Sequence, residues 1–309
     1  MSEQTRKALT EIAEADRRYN LGEVAKGRDW ISKAISLSAD KQVYVGDSAG
    51  NRGVIEVLSA HGDFETLAVL LAKATKSPET SREPQVFESY ADALERLGRK
   101  AEAKAAYAQL LVVLNKEYPT PASQTPAGQP ALLNKAQAQW KSGDTAGART
   151  VFDTVRRLYP DRAAVASNNQ AYFAAQDGTD LEEALKLAKE AVAKAEATGD
   201  QVVLGQYEDT LGWVYYQIGI RDKSSKAISD AITNLELAIT AYPYQGEIYD
   251  HLAQAYIAGG RTDEAAIIYA RLAGIWVANT ATLDMAKKYP VKAVPDTAQP
   301  APAAPRKEV

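Results

Sequence analysis

The chain has 309 residues, 46% of them hydrophobic and 25% charged, with a formal net charge of -4 and a sequence pI near 5.5. Such a composition supports a folded protein with a continuous core, and without a dense Lys/Arg cluster it argues against nucleic acid or an anionic membrane surface as ligand, since both need a concentrated basic face. The absence of cysteine excludes disulfides, thiolate metal sites and cysteine nucleophiles.

No apolar run approaches the roughly 20 residues that span a bilayer, and the opening "MSEQTRKALTEIAEADRRY" lacks the apolar stretch of a signal peptide, so no membrane insertion is expected. Read from Met1, the chain is expected in the cytoplasm. Where Met1 is not the native start, a place in the cell envelope or periplasm is the alternative.

Glycines 22, 62, 98, 143, 178, 219 and 260 recur at intervals of 35 to 45 residues. Seven positions before six of them stands a small residue, in turn Ala15, Ala91, Ala136, Ala171, Gly212 and Ala253, whereas Ile55 precedes Gly62. A small residue lets a second helix cross the first closely, and a glycine further on ends the first helix by taking the left-handed conformation. The unit is a helical hairpin. One hairpin cannot bury both of its apolar faces, so it stacks on copies of itself.

In chain order, residues 1–114 are expected to form N-terminal hairpins, the first two of them degenerate, with Gly27 and Leu67 where a second-helix alanine belongs. A loop follows over 115–130, where prolines 119, 121, 126 and 130 are too many for a helix. Residues 131–289 read as the C-terminal array with a capping helix. Within it, Thr179-x-x-Glu182 reads as a capping box, and "IRDKSSK" after Gly219 is an insertion of seven residues. That insertion either lengthens its hairpin or forms a lip on the rim. Residues 290–309, rich in Pro and Ala, read as a disordered tail.

These hairpins resemble the tetratricopeptide repeat, as seen in its bacterial members. Its pattern W-x2-L-G-x2-Y, then A-x3-F, then P is matched by Phe87-x2-Tyr90-Ala91-x2-Leu94 with Ala103-x3-Tyr107, and by Leu132-x2-Lys135-Ala136 with Ala148-x3-Phe152 and Pro160. Leu211-Gly212-x2-Tyr215 with Ala231 and Pro243, and Tyr249-x2-Leu252-Ala253-x2-Tyr256 with Ala265-x3-Tyr269, continue it. "NNQAYFAAQDG" aligns without gaps on "DTLGWVYYQIG". The resemblance implies an all-α, right-handed α-α superhelix (a solenoid) of about seven hairpins, whose first helices line a concave groove.

The groove positions of that family fall on Glu88, Asp92 and Glu95 in the third repeat and on Trp140 in the fourth. In the fifth and sixth they fall on Asn168, Tyr172, Gln176, Asp209, Trp213, Tyr216 and Gln217. Asn169, one position on from Asn168, matches the asparagine ladder by which some relatives hold a peptide backbone; Asn134 matches it too, but Thr210 and His251 break the series. Trp213 and Tyr216 either anchor a partner or pack on a neighbouring repeat.

No nucleotide-binding glycine motif or nucleophile-elbow serine is present, so neither a cofactor nor an enzymatic activity is expected. His61 and His251 lie in different repeats and read as structural, not as metal ligands. The expected function is a scaffold for a protein or extended peptide with apolar anchors, and a basic end for the acidic section. Self-assembly into a homo-oligomer and an accessory ligand-sensing subunit are the alternatives.

Overall fold

A computed structural model describes residues 1–118, 128–243 and 245–291, and among them every regular element is helical. In chain order these are α1 (Glu3–Asn20), α2 (Val24–Leu37), α3 (Lys41–Val45), α4 (Val54–Ala60), α5 (Phe64–Ala74), α6 (Pro84–Arg96), α7 (Lys100–Glu117) and α8 (Gly128–Ser142). There follow α9 (Thr145–Leu158), a 3-10 turn (Pro160–Arg162), α10 (Ala163–Asp177), α11 (Leu181–Thr198), α12 (Gln201–Asp222), α13 (Ser225–Ala241), α14 (Gly246–Ala258), α15 (Thr262–Ile275) and α16 (Thr280–Lys288). The proline-rich segment 119–127 and the tail from 292 lie outside the described residues; helix runs up to Glu117 on one side and resumes at Gly128 on the other.

The helices pack as two compact units. The first comprises Met1–Val151 with Ile275–Thr280, and the second Phe152–Gly274 with the residues from Ala281 on, so the division falls inside α9. In the first unit α1 packs on α2, α4 on α5 and α6 on α7, and each hairpin passes its apolar face to the next through α5 on α6 and α7 on α8. The second unit repeats the scheme with α10 on α11, α12 on α13, and the first helices α10, α12 and α14 in sequence. This is the repeated hairpin packing that the glycine spacing implies.

Six of the seven glycines end helices as expected. Gly22, Gly62, Gly98, Gly143, Gly178 and Gly260 have φ between 66° and 102°, the left-handed region where side chains are strained. At all six of these turns the next amide reaches back to the last helical turn, as in Asp63 N to Leu58 O at 2.9 Å, Arg99 N to Leu94 O at 2.9 Å and Arg261 N to Tyr256 O at 2.8 Å. Behind the turns, Ala15, Ala91, Ala136, Ala171 and Ala253 are each 0% exposed at the helix crossing.

Gly219 departs from the pattern. It stays inside α12, which continues to Asp222; Lys223 takes the left-handed cap at φ 53°, and the Ser224 hydroxyl caps α13 by accepting from Ala227 N at 3.2 Å. The insertion therefore lengthens both helices of the hairpin and does not form a lip. Gly219 serves close approach, since a Cβ there would meet Ile228 Cδ1 at 2.5 Å and Ile228 N at 3.1 Å. The expected capping box is also absent: Asp180 is the N-cap of α11 without a side-chain cap bond, and Glu182 pairs instead with Arg221 at 2.7 Å.

The N-terminal hairpins are held by a buried polar contact. Asp63, the N-cap of α5 and 1% exposed, receives the Tyr19 hydroxyl at 2.6 Å and two Arg28 guanidinium bonds at 2.7 and 2.9 Å. Burial opposes its charge, yet these bonds hold the carboxyl below its usual range. Nearby, His61 Nε2 bonds Asp16 Oδ1 at 2.8 Å and stacks on the Tyr19 ring. Trp276 completes the first unit: it lies on Gly62, meets Phe64 edge-on at 5.4 Å, and Ala278 N donates to His61 O at 3.1 Å.

Replacing Gly219 and Gly260 separately by Asn distinguishes the two uses of glycine. Asn tolerates left-handed backbone and nothing lies within 4 Å of a Cβ at Gly260, so that change is expected to leave the urea midpoint nearly unchanged. At Gly219 the same side chain collides with Ile228, and a loss of about 1–3 kcal/mol is expected as a lower midpoint.

Candidate functional site

In the first unit, Glu88, Asp92 and Glu95 share one face of α6 because they stand three or four residues apart. Each has a polar neighbour. Glu88 Oε1 accepts from Gln137 Nε2 of α8 at 2.9 Å, Asp92 accepts from the buried Tyr107 hydroxyl of α7, and Glu95 accepts from Lys141 Nζ of α8 at 2.8 Å. Asp92 remains exposed, while Glu88 and Glu95 are half-buried. Loss of water and the charge of Asp92 push the Glu88 carboxyl up to about 7. Glu88 also borders a cleft of about 330 Å³ whose wall includes Glu83, Gln85, Leu114 and Asn134. Trp140 is 3% exposed, with Arg149 over its ring at 5.0 Å.

In the second unit the face is built by α10, α12 and α14. Asn168, Asp209 and Trp213 are buried; Asn169, Tyr172, Tyr216 and Gln217 are half-buried, and Gln176 is exposed. The Trp213 ring stacks on His251 of α14 at 4.1 Å and on Tyr216 at 4.7 Å. His251 Nδ1 bonds Asp209 Oδ1 at 2.8 Å and its Nε2 lies 3.8 Å from Glu247. Glu247 accepts from the Tyr172 hydroxyl, which accepts in turn from Gln176 Nε2 at 2.6 Å. A polar chain thus runs across three successive first helices. Burial works against a charge on His251, but Asp209, Glu247 and Asp250 outweigh it and raise the imidazole above its ordinary value.

Of the partners that make these networks, Gln137, Lys141 and Glu247 stand at groove positions by counting, whereas Tyr107 on a second helix and His251 do not. The only available signal was a basic, amide or imidazole residue on one first helix level with an acid on another. Behind the face, Glu208 is 2% exposed and burial pushes its carboxyl up to about 7. Among the described residues no group of three or more His, Asp or Glu side chains is arranged to hold a metal ion, and no helix is long and apolar enough to cross a membrane.

With this geometry in view, comparison with known proteins recognises the repeat in two segments of the chain. A tetratricopeptide-repeat family model matches residues 130–162 and 247–274, which correspond to α8 with α9 and to α14 with α15. The structure is similar to that of yeast Tom70, with a TM-score of 0.53 and 16% identity over 93% of this chain and 54% of that one, so the chain spans about half the length of Tom70. It is also similar to a tetratricopeptide repeat protein from Parabacteroides merdae (TM-score 0.47, 13% identity, 93% of this chain and 98% of that one). A third similar structure is a human IFIT1 dimer with PPP-AAAA (TM-score 0.46, 16% identity, 88% and 61%). No curated protein matches the chain in sequence. The chain carries tetratricopeptide repeats and has the all-α helical-hairpin fold of that family.

Glu88 gives a pH test. Its folded-state carboxyl sits above the ordinary value of 4.5, so the folded state binds the extra proton, and stability falls as pH rises from 4.5 through about 7. Glu88→Gln keeps an acceptor for Gln137. It is expected to flatten that decline, leaving the urea midpoint unchanged near pH 5 and raised near pH 8.

Proposed function

We propose that the chain is a non-enzymatic interaction scaffold that holds a protein or an extended peptide on the face of its first helices. Proteins of this family generally act as interaction scaffolds. The observation that carries the reading is the half-exposed Tyr216 ring with Gln217 beside it and the exposed Gln176 on the neighbouring first helix. Hairpin packing requires none of the three to be aromatic or amide. An aromatic ring offers large contact area at low rotamer cost, and amides pair with a partner's backbone.

In the first unit Lys141 already neutralises Glu95, which leaves exposed Asp92 and half-buried Glu88 as the acidic section for a basic end of the ligand. Trp140 and Trp213 are buried, so the burden of contact falls on Tyr172, Tyr216 and the amides.

The test is affinity capture from the cell of origin with the wild-type chain, Tyr216→Ala, Asp92→Lys, and Glu190→Lys on the exposed side of α11 as a control. A partner held by the wild type and the control, lost from Tyr216→Ala and weakened by Asp92→Lys, is the expected result. Recovery of the same proteins with all four chains, or of the chain alone, would transfer the function to another face or to self-assembly.

A further inference from the structure

Trp213 is the largest of the candidate anchors on the second unit's face, and it is stowed. It is 9% exposed, its indole Nε1 is buried without a hydrogen-bond partner, and its ring stacks on His251 at 17° and on Tyr216 at 11°. A buried N–H without an acceptor costs free energy that release into water would recover, so something must hold the indole in.

The structure points to His251. Its imidazole is tied to α12 through Asp209 and lies against Glu247 on its own helix, while Tyr172 from α10 bonds the same Glu247. The groups facing it are Asp209 and Trp213 from α12 and Glu247 and Asp250 from α14; one step further out, Tyr216 stacks on Trp213, Tyr172 of α10 bonds Glu247, and Tyr269 of α15 lies near Asp250. As an imidazolium, His251 is attracted by the carboxylates and by the indole face; as a neutral ring it keeps one hydrogen bond and loses the rest.

We propose that His251 is a proton-operated latch on Trp213: protonated, it holds the indole stowed on the first-helix face, and neutral, it lets the indole out to contact a partner. The carboxylates around the imidazole favour its proton despite burial, so the latch stays closed past the pH at which an ordinary imidazole loses its proton and opens as pH rises further. Use of the released indole for binding rests on the scaffold reading above, whereas the latch itself does not.

The chain has two histidines, so imidazole NMR resolves both, and His61→Gln assigns the remaining signal to His251. Acrylamide quenching of wild type minus Trp213→Phe then isolates Trp213 as pH rises. His251 is expected to titrate above the ordinary value of about 6.5, and protection of Trp213 to be lost at the same midpoint. In Asp209→Asn both midpoints are expected to fall together, by about one unit or more. In His251→Gln, Trp213 is expected to be quenched at every pH.

The proposal is overturned if Trp213 keeps its protection while His251 titrates, if His251 titrates at or below the ordinary value, or if the two midpoints separate in Asp209→Asn. If Trp213 is released as expected but a captured partner binds equally on both sides of the midpoint, the latch stands and the scaffold reading fails at this residue.

Discussion

The structure depends on how closely two helix backbones approach each other within a hairpin. At six of the seven crossings the space between them admits a methyl group or less: five alanines are fully buried there, and at Gly212 even a Cβ would meet Leu235 Cγ at 2.6 Å and the Ala231 carbonyl at 3.2 Å. Close approach maximises contact between the flat sides of the helices and turns their apolar edges outward, toward the next hairpin. The remaining core follows from that. Tyr107, Phe152 and Tyr269, each on a second helix four residues after its buried alanine, are at most 1% exposed.

Polar groups between successive first helices repeat a single arrangement in both units. His61 bonds Asp16 and stacks on Tyr19; His251 bonds Asp209 and stacks on Trp213. In each case an acid and an aromatic ring from one first helix receive an imidazole from the next hairpin. Such a contact supplies direction where apolar packing supplies none, since the stacked ring fixes the plane and the carboxylate fixes the rotation. Asp63 adds a stronger version, with Arg28 and Tyr19 satisfying a carboxylate that is almost fully buried.

Much of this was legible from residue spacing. The interval between glycines located six of the hairpin turns, and the small residue seven positions earlier located the crossings. Gly219 misled because a glycine needed for close approach and one needed for a left-handed turn are the same letter. The longer distance from Gly219 to Ala231 was the clue that its hairpin had grown by a turn in each helix. The site was less legible. Counting positions along a helix tells which way a side chain leaves the backbone, but not what meets it, and His251 meets Asp209 from 42 residues away. For that reason Trp140, Asn168, Asp209 and Trp213 fall at groove positions by counting and are nevertheless buried.

Trp276 bears on how the chain is made. Gly62, Phe64 and the His61 carbonyl leave the ribosome well before the indole and the Ala278 amide that cover them, which are synthesised only after α15. The α4–α5 turn therefore emerges before the Trp276 side chain that covers it in the folded chain. Until the residues after α15 have been made, that turn lacks its final cover, and transiently exposed apolar surface of this kind is prone to association.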